Sequence, residues 1–361
     1  MNTLALDEAI RRAEAGDAQA QYALAAFYAR AGQRDEANKW LADAAANGEP
    51  EALFTLATRL THTEAGVIDA APRLAEAAAK GSPSAAHFVA VLTALGLGFP
   101  KDEAAAIASI VQYARGGLQP MRRQLAALLY LQHPDDPDAA ALLTGEGVVD
   151  WSGVERRVRL SPPAPPAPER LSASPDVVLF RGVIPRAVCA HVIAHAAARL
   201  GPALVYDPNG TGMMRDPLRS SATASLSPVD LDLAIIVVNR ALSACAGLPD
   251  EQGEFLSVMR YRPGEEYRPH FDTVPPGPDF DRNGQRVKTA LLYLNDDYDG
   301  GETAFLTPGL TVKGAAGDIV VFSNVTADGR LDGASRHAGL AVTAGEKWLA
   351  SKWFRAKKFS F

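Results

Sequence analysis

The residues best suited to chemistry lie in the second half of this 361-residue chain. His270 and Asp272 stand two apart in "YRPGEEYRPHFDT" (261–273), so on a strand both side chains leave the same face. One histidine follows them, His337 in "SRHAGLAVTAGEKWLASKWF", and Lys347 comes ten residues later. Two imidazoles and one carboxylate on a β scaffold form the facial set that holds non-haem Fe(II) and leaves coordination positions open. A zinc hydrolase can use the same three groups, so the triad alone leaves both metals in play. Lys347 favours iron, because a cation beside the metal suits a dicarboxylate whose other end chelates it. Strand alternation after the Gly345 turn puts Lys347, Leu349, Ser351 and Trp353 on one face. Thr289, Leu291 and Tyr293 share a face of their own strand, offering a hydroxyl and a phenol to the same clamp.

The elements that must position these groups are short strands. "DVVLFRGV", "GEFLSVMRY", "VKTALLYLN", "GDIVVFSN" and "KWLASKWF" are separated by turn signals such as "DDYDGG", "KGAAGD" and "TAGE". Two helical intervals, "RAVCAHVIAHAAARLG" and "VDLDLAIIVVNRALSACAG", precede most of them. The pattern predicts a jelly-roll double sheet with flanking helices over residues 176–361.

Residues 1–150 read differently. "GDAQAQYALA", "GEPEALFTLA", "GSPSAAHFVA" and "GLQPMRRQLA" begin at Gly16, Gly48, Gly81 and Gly117, offsets of 32, 33 and 36 residues. That period signifies helix pairs stacked as an α/α solenoid. Between the two parts, residues 151–175 include "SPPAPPAPERLSAS", whose prolines at 162, 163, 165, 166 and 168 favour an extended spacer.

Composition narrows the function classes. The chain is 47% apolar with a net charge of −6. Residues 1–150 carry −7 (12 basic against 19 acidic) and the rest +1, so neither part has the basic stripe of a nucleic-acid binder. No apolar run reaches membrane-spanning length, and Asp7 and Glu8 interrupt what a secretory signal would need. The two cysteines, Cys189 and Cys245, form no CxxC, which excludes thiolate zinc sites. A cytoplasmic protein without nucleic-acid or membrane partners is expected.

With these residues placed, the stretch from about Val177 to Trp353 resembles the 2-oxoglutarate/Fe(II) dioxygenases of the prolyl 4-hydroxylase type. "YRPGEEYRPHFD", "QRVKTALLYLN", "GGETAFL" and "GDIVVFSN" occur in the family's order. Residues 4–145 resemble Sel1-like repeats, a branch of the tetratricopeptide superfamily. The first resemblance implies a double-stranded β-helix, with Fe(II) held by His270, Asp272 and His337. It assigns the distal carboxylate of the cosubstrate 2-oxoglutarate to Lys347, with Tyr261 and Thr289 as hydrogen-bonding partners. Trp353 would line the pocket and Arg219, in "LRSSAT", would stand near the substrate. L-ascorbate is implied as the reductant that rescues oxidised iron. Ala341 and Ser220 depart from the family's usual proline and threonine, which bears on the substrate more than on the iron.

The leading expectation is hydroxylation of a prolyl residue in a protein or peptide, docked by the helical repeats, with release of succinate and carbon dioxide. The same chemistry on a free amino acid, or an adaptor that senses oxygen or 2-oxoglutarate, are the alternatives. Other residues read as structural. Tyr267 suits packing, and Gly300 and Gly301 suit a turn. His191 and His195, four apart on a helix, have no third ligand nearby in sequence and read as packing or surface residues.

Overall fold

The repeated glycines at 16, 48, 81 and 117 all adopt left-handed backbone, with φ between +83° and +98°. A Cβ would strain that conformation, which accounts for the period in the sequence. In each case a helix begins two residues later. The computed structural model describes residues 3–206, 213–215 and 218–361. Its first part consists of α1 (Thr3–Glu14), α2 (Ala18–Arg30), α3 (Arg34–Ala46), α4 (Pro50–Thr58), α5 (Glu64–Ala79), α6 (Pro83–Leu95) and α7 (Glu103–Arg115). Asp17 and Ser82 cap α2 and α6 by accepting from Ala20 N and Ala85 N. Ser82 also donates to Glu51 Oε1 at 2.6 Å, tying the start of α6 to α4. Each of these helices packs on the next, around buried Leu24, Leu74, Leu92 and Ile110.

Internal contacts divide the chain into residues 1–121 with Phe361, and residues 122–360. The division falls earlier than the boundary expected near 150. Most of α8 (Gln119–Gln132), all of α9 (Pro137–Thr144) and α10 (Trp151–Arg157) belong with the second part. The expected spacer over 151–175 is therefore largely structured. It begins with α10 and contains strand β1 (Glu169–Ala173) followed by a turn, so residues 158–168 are its one long stretch without regular structure. Even these are held at one end, where Arg240 Nη1 donates to Leu160 O at 2.6 Å.

The second unit continues with β2 (Asp176–Phe180), α11 (Arg186–Ala197), β3 (Gly201–Pro202), β4 (Leu204–Tyr206), β5 (Met213–Arg215), β6 (Ala222–Leu226) and α12 (Leu233–Ala246). There follow β7 (Leu256–Tyr261), β8 (Tyr267–His270), α13 (Pro278–Asn283), β9 (Arg286–Tyr293), β10 (Asp299–Gly300), β11 (Thr303–Phe305) and β12 (Leu310–Val312). The last four strands are β13 (Ile319–Ser323), β14 (His337–Gly339), β15 (Val342–Ala344) and β16 (Lys347–Arg355).

All pairings are antiparallel. The larger sheet has the order β1-β2-β13-β9-β16-β7-β6-β3, and a four-stranded sheet has the order β12-β11-β14-β8. One core joins them: Val177, Met259, Leu291, Val320 and Leu349 from the larger sheet meet Phe305 and Val312 from the smaller. On its other face the larger sheet meets α12, which is buried on nearly every side. β16 lies between β7 and β9 with all nine residues buried, so one of its faces looks into the inter-sheet core and the other toward the helix. Among the described residues no helix is long and apolar enough to cross a membrane.

Candidate active site

Pairing of β8 with β14 sets His270 and His337 directly opposite each other across the smaller sheet. Their rings lie 4.4 Å apart between centroids. Asp272, two residues beyond His270, leaves the same face, so three groups 67 residues apart in sequence converge. Asp272 Oδ1 is 3.5 Å from His270 Nε2, and Oδ2 is 3.6 Å from His337 Nε2. These separations exceed hydrogen-bond length and leave room for an ion bound at about 2.0–2.2 Å from each ligand atom.

The ring orientations are fixed from behind. The Nδ1–H of His270 donates to Arg268 O at 2.7 Å, and that of His337 to Ser335 O at 3.0 Å. Each imidazole therefore turns its Nε2 toward Asp272, the arrangement metal-ligating histidines use. Tyr267 stacks on His270 at 3.5 Å, while Phe322 packs edge-on against His337 at 4.7 Å. Burial alone would raise the Asp272 carboxyl, but the facing His337 and His270 hold it well below the usual carboxylate range. Burial pushes His337 below its ordinary value, against the opposing pull of Asp272.

Thr289 was expected to face a bound dicarboxylate, and its position differs. It is fully buried, donates to Asp272 Oδ2 at 2.7 Å and accepts from Asn324 Nδ2 at 2.9 Å. Its hydroxyl is committed to orienting the carboxylate, because the β9 register puts it beneath the triad. The threonine that lines the pocket is Thr303 on β11, whose hydroxyl lies 3.1 Å from that of Tyr293. Only the pairing of sheets places Thr303 there, and no local pattern marks it.

A pocket joins the triad to the other expected residues. Tyr261, His270, Asp272, His337, Lys347 and Trp353 all line it, together with Ser351. Lys347 Nζ is 2% exposed as a residue, donates to Gly301 O at 2.7 Å and sits 5.4 and 5.7 Å from the Tyr261 and Tyr293 rings. No carboxylate lies within ion-pair distance of it among the described residues. Burial pulls its ammonium down to about 8 against the opposing pull of Glu302. Two further polar atoms in the wall, Ser351 Oγ and Trp353 Nε1, are buried without a hydrogen-bond partner. A buried cation lacking an anion, and two unsatisfied polar groups beside it, are what a site for an anionic ligand presents when nothing is bound. Arg219 lies outside the lining, with its guanidinium 5.2 Å over the Tyr267 ring that backs His270.

This donor set fits Fe(II), and the buried Lys347 ammonium fits a carboxylate ligand. Residues 256–355 match the 2OG-Fe(II) oxygenase superfamily. Prolyl 4-hydroxylase 1 of Arabidopsis thaliana is 35% identical over 208 residues, spanning 54% of this chain and 73% of the relative. Prolyl 4-hydroxylase 2 of the same plant is 31% identical over 213 residues, 53% and 71% of the two chains. A solved viral collagen prolyl hydroxylase from Paramecium Bursaria Chlorella virus-1, in its 2OG complex, covers 50% of this chain and 96% of its own, with 23% identity and a TM-score of 0.39. The protein is a 2-oxoglutarate-dependent dioxygenase. Within that class, the chain belongs to the prolyl 4-hydroxylase family of 2OG-Fe(II) oxygenases.

Proposed function

We propose that the protein hydroxylates an unactivated C–H bond of a prolyl residue in a protein or peptide, with Fe(II) held by His270, Asp272 and His337. Bound iron would supply activation of dioxygen, coupled to decarboxylation of 2-oxoglutarate to succinate and carbon dioxide. The residues do the rest. Lys347 neutralises the distal carboxylate of 2-oxoglutarate, and Tyr261 and Ser351 complete its polar surroundings. Thr289 and Asn324 keep Asp272 in register. Trp353 offers its indole N–H at the pocket wall, and Arg219 stands on the substrate side of Tyr267.

The observation that carries this reading is Lys347, a buried ammonium with no carboxylate within ion-pair distance among the described residues, sharing a pocket with the triad. The prolyl substrate is supported by the relatives, which are named prolyl 4-hydroxylases. The acidic helical unit is assigned the role of docking a basic macromolecular partner, by its charge.

The test is incubation with Fe(II), 2-oxoglutarate, L-ascorbate and proline-containing peptides. Succinate release matched by a gain of one oxygen on proline is the expected result. Tight succinate coupling to a free amino acid, with peptides inert, would move the substrate class to small molecules.

A further inference from the structure

A second group of ligating side chains lies away from the pocket. His191 and His195, on successive turns of α11, meet Asp232, the N-cap of α12. Asp232 is 41 residues from the first of these histidines, so no local pattern joins them. Their ligand atoms and one Asp232 oxygen all lie within 4.8 Å of one another, as do those of the triad.

One ring is held from behind by a backbone carbonyl, here through Nε2 rather than the Nδ1 used at the triad. The Nε2–H of His195 donates to the backbone carbonyl of Asp230 at 2.6 Å. That bond leaves Nδ1 as the lone-pair nitrogen, and it faces Asp232 Oδ2 at 3.7 Å. A lone pair aimed at a carboxylate oxygen across that gap is satisfied by a cation between them. His191 Nε2 lies 2.6 Å from the same oxygen, so without a metal its N–H donates to Asp232. An ion would replace that one proton, with a displacement of His191 of under about 1 Å to reach tetrahedral ligand spacing. Asp232 Oδ1 already accepts from Ile235 N at 2.8 Å, which fixes the carboxylate and leaves Oδ2 as the ligand atom.

We propose that His191, His195 and Asp232 form a second, structural divalent-metal site of the zinc type, distinct from the catalytic triad. Two imidazoles and one carboxylate favour a borderline ion over calcium or magnesium, and the affinity order places zinc above Fe(II). Arg123 and Arg199 act on the histidines from nearby, and Asp230 and Asp232 offset them, so selection rests on the nitrogen lone pairs rather than on net charge. The ion would clip the end of α11 to the start of α12, closing the chain segment between them that carries Arg219.

The experiment is titration of the chelator-treated full chain with Zn²⁺ alone, followed calorimetrically, with thermal unfolding as a second readout. Wild type should bind two equivalents. His195→Ala should bind one, weakening the second site by at least about 100-fold, beyond the loss seen for outer-shell partners. Asp232→Asn keeps the helix cap while removing the charged ligand, and should give the same stoichiometry. His337→Ala should retain the equivalent that His195→Ala loses, and Zn²⁺ should still raise its melting temperature. Binding in His337→Ala that is unaffected by adding His195→Ala, or no binding there, overturns the second site. A wild type with a single equivalent that His195→Ala removes would uphold this site and count against the triad instead.

Discussion

Lys347 is buried in the pocket, and its charge is costly to keep there. The unfolded chain keeps this proton up to its ordinary value of 10.5, whereas the folded pocket releases it near 8. Between those values the unfolded state binds more protons, so this group makes stability rise with pH across that window. At neutral pH the buried charge costs roughly 3 kcal/mol. Lys347→Met, of similar length, should therefore stabilise the ligand-free protein by about 1–3 kcal/mol at pH 7, allowing for the lost bond to Gly301 O. The gain should shrink as pH approaches 10, while succinate formation is lost; denaturant melts at several pH values check both. Thr289→Val acts on the other half of the site. Removing its bond to Asp272 should weaken Fe(II) binding about 10- to 100-fold and leave the 2-oxoglutarate KM little changed at saturating iron. Anaerobic iron titration and steady-state kinetics separate the two effects. Sequence alone could not tell these roles apart. The spacing of His270, Asp272, His337 and Lys347 is visible in the chain, but what Thr289 touches depends on Asp272 and Asn324, brought to it by sheet pairing.

At the scale of elements, alternation along β16 does most of the sorting. Odd positions Lys347, Leu349, Ser351 and Trp353 face the pocket, and Lys352 faces the opposite way, where Asn239 Oδ1 accepts from it at 2.9 Å. The turn before β11 holds Lys347 in place from the side. Gly301 has φ +69°, and a Cβ there would meet Val342 Cγ2 at 3.1 Å and Lys347 Cδ at 3.2 Å. Gly301→Ala should displace the lysine and destabilise the protein by about 1–3 kcal/mol, from strain and crowding together. The kinetic sign of this is a raised 2-oxoglutarate KM with iron affinity retained. Strand periodicity and the repeated glycines were legible because each is a local constraint on one backbone. The strand β1 and helix α10 were not, since prolines between them dominate the composition while tertiary pairing with β2 decides the structure. The approach of Asp232 to His191 and His195 was hidden for a related reason: Asp232 signals a helix cap in sequence, and its contact with α11 is a long-range event.

For the whole molecule, every residue assigned to iron and cosubstrate falls within residues 122–360. A truncated chain covering residues 122–361 should form succinate from 2-oxoglutarate with an unchanged KM. Starting at 172 instead removes α8–α10 and most of β1, and should lower the melting temperature by several degrees. If the acidic helical unit recruits a basic partner, its loss should raise the KM for a macromolecular substrate alone, and added salt should reproduce the effect. The central claim is that iron and 2-oxoglutarate meet in the pocket bounded by the triad and Lys347. Visible absorption of the anaerobic Fe(II)-loaded protein titrated with 2-oxoglutarate tests it most directly, since chelation of ferrous iron by a 2-oxo acid produces a charge-transfer band. The account predicts a saturable band in the wild type, no band in His337→Ala, and a band requiring far more 2-oxoglutarate in Lys347→Ala. A wild type without the band, or an undiminished band in His337→Ala, would contradict it.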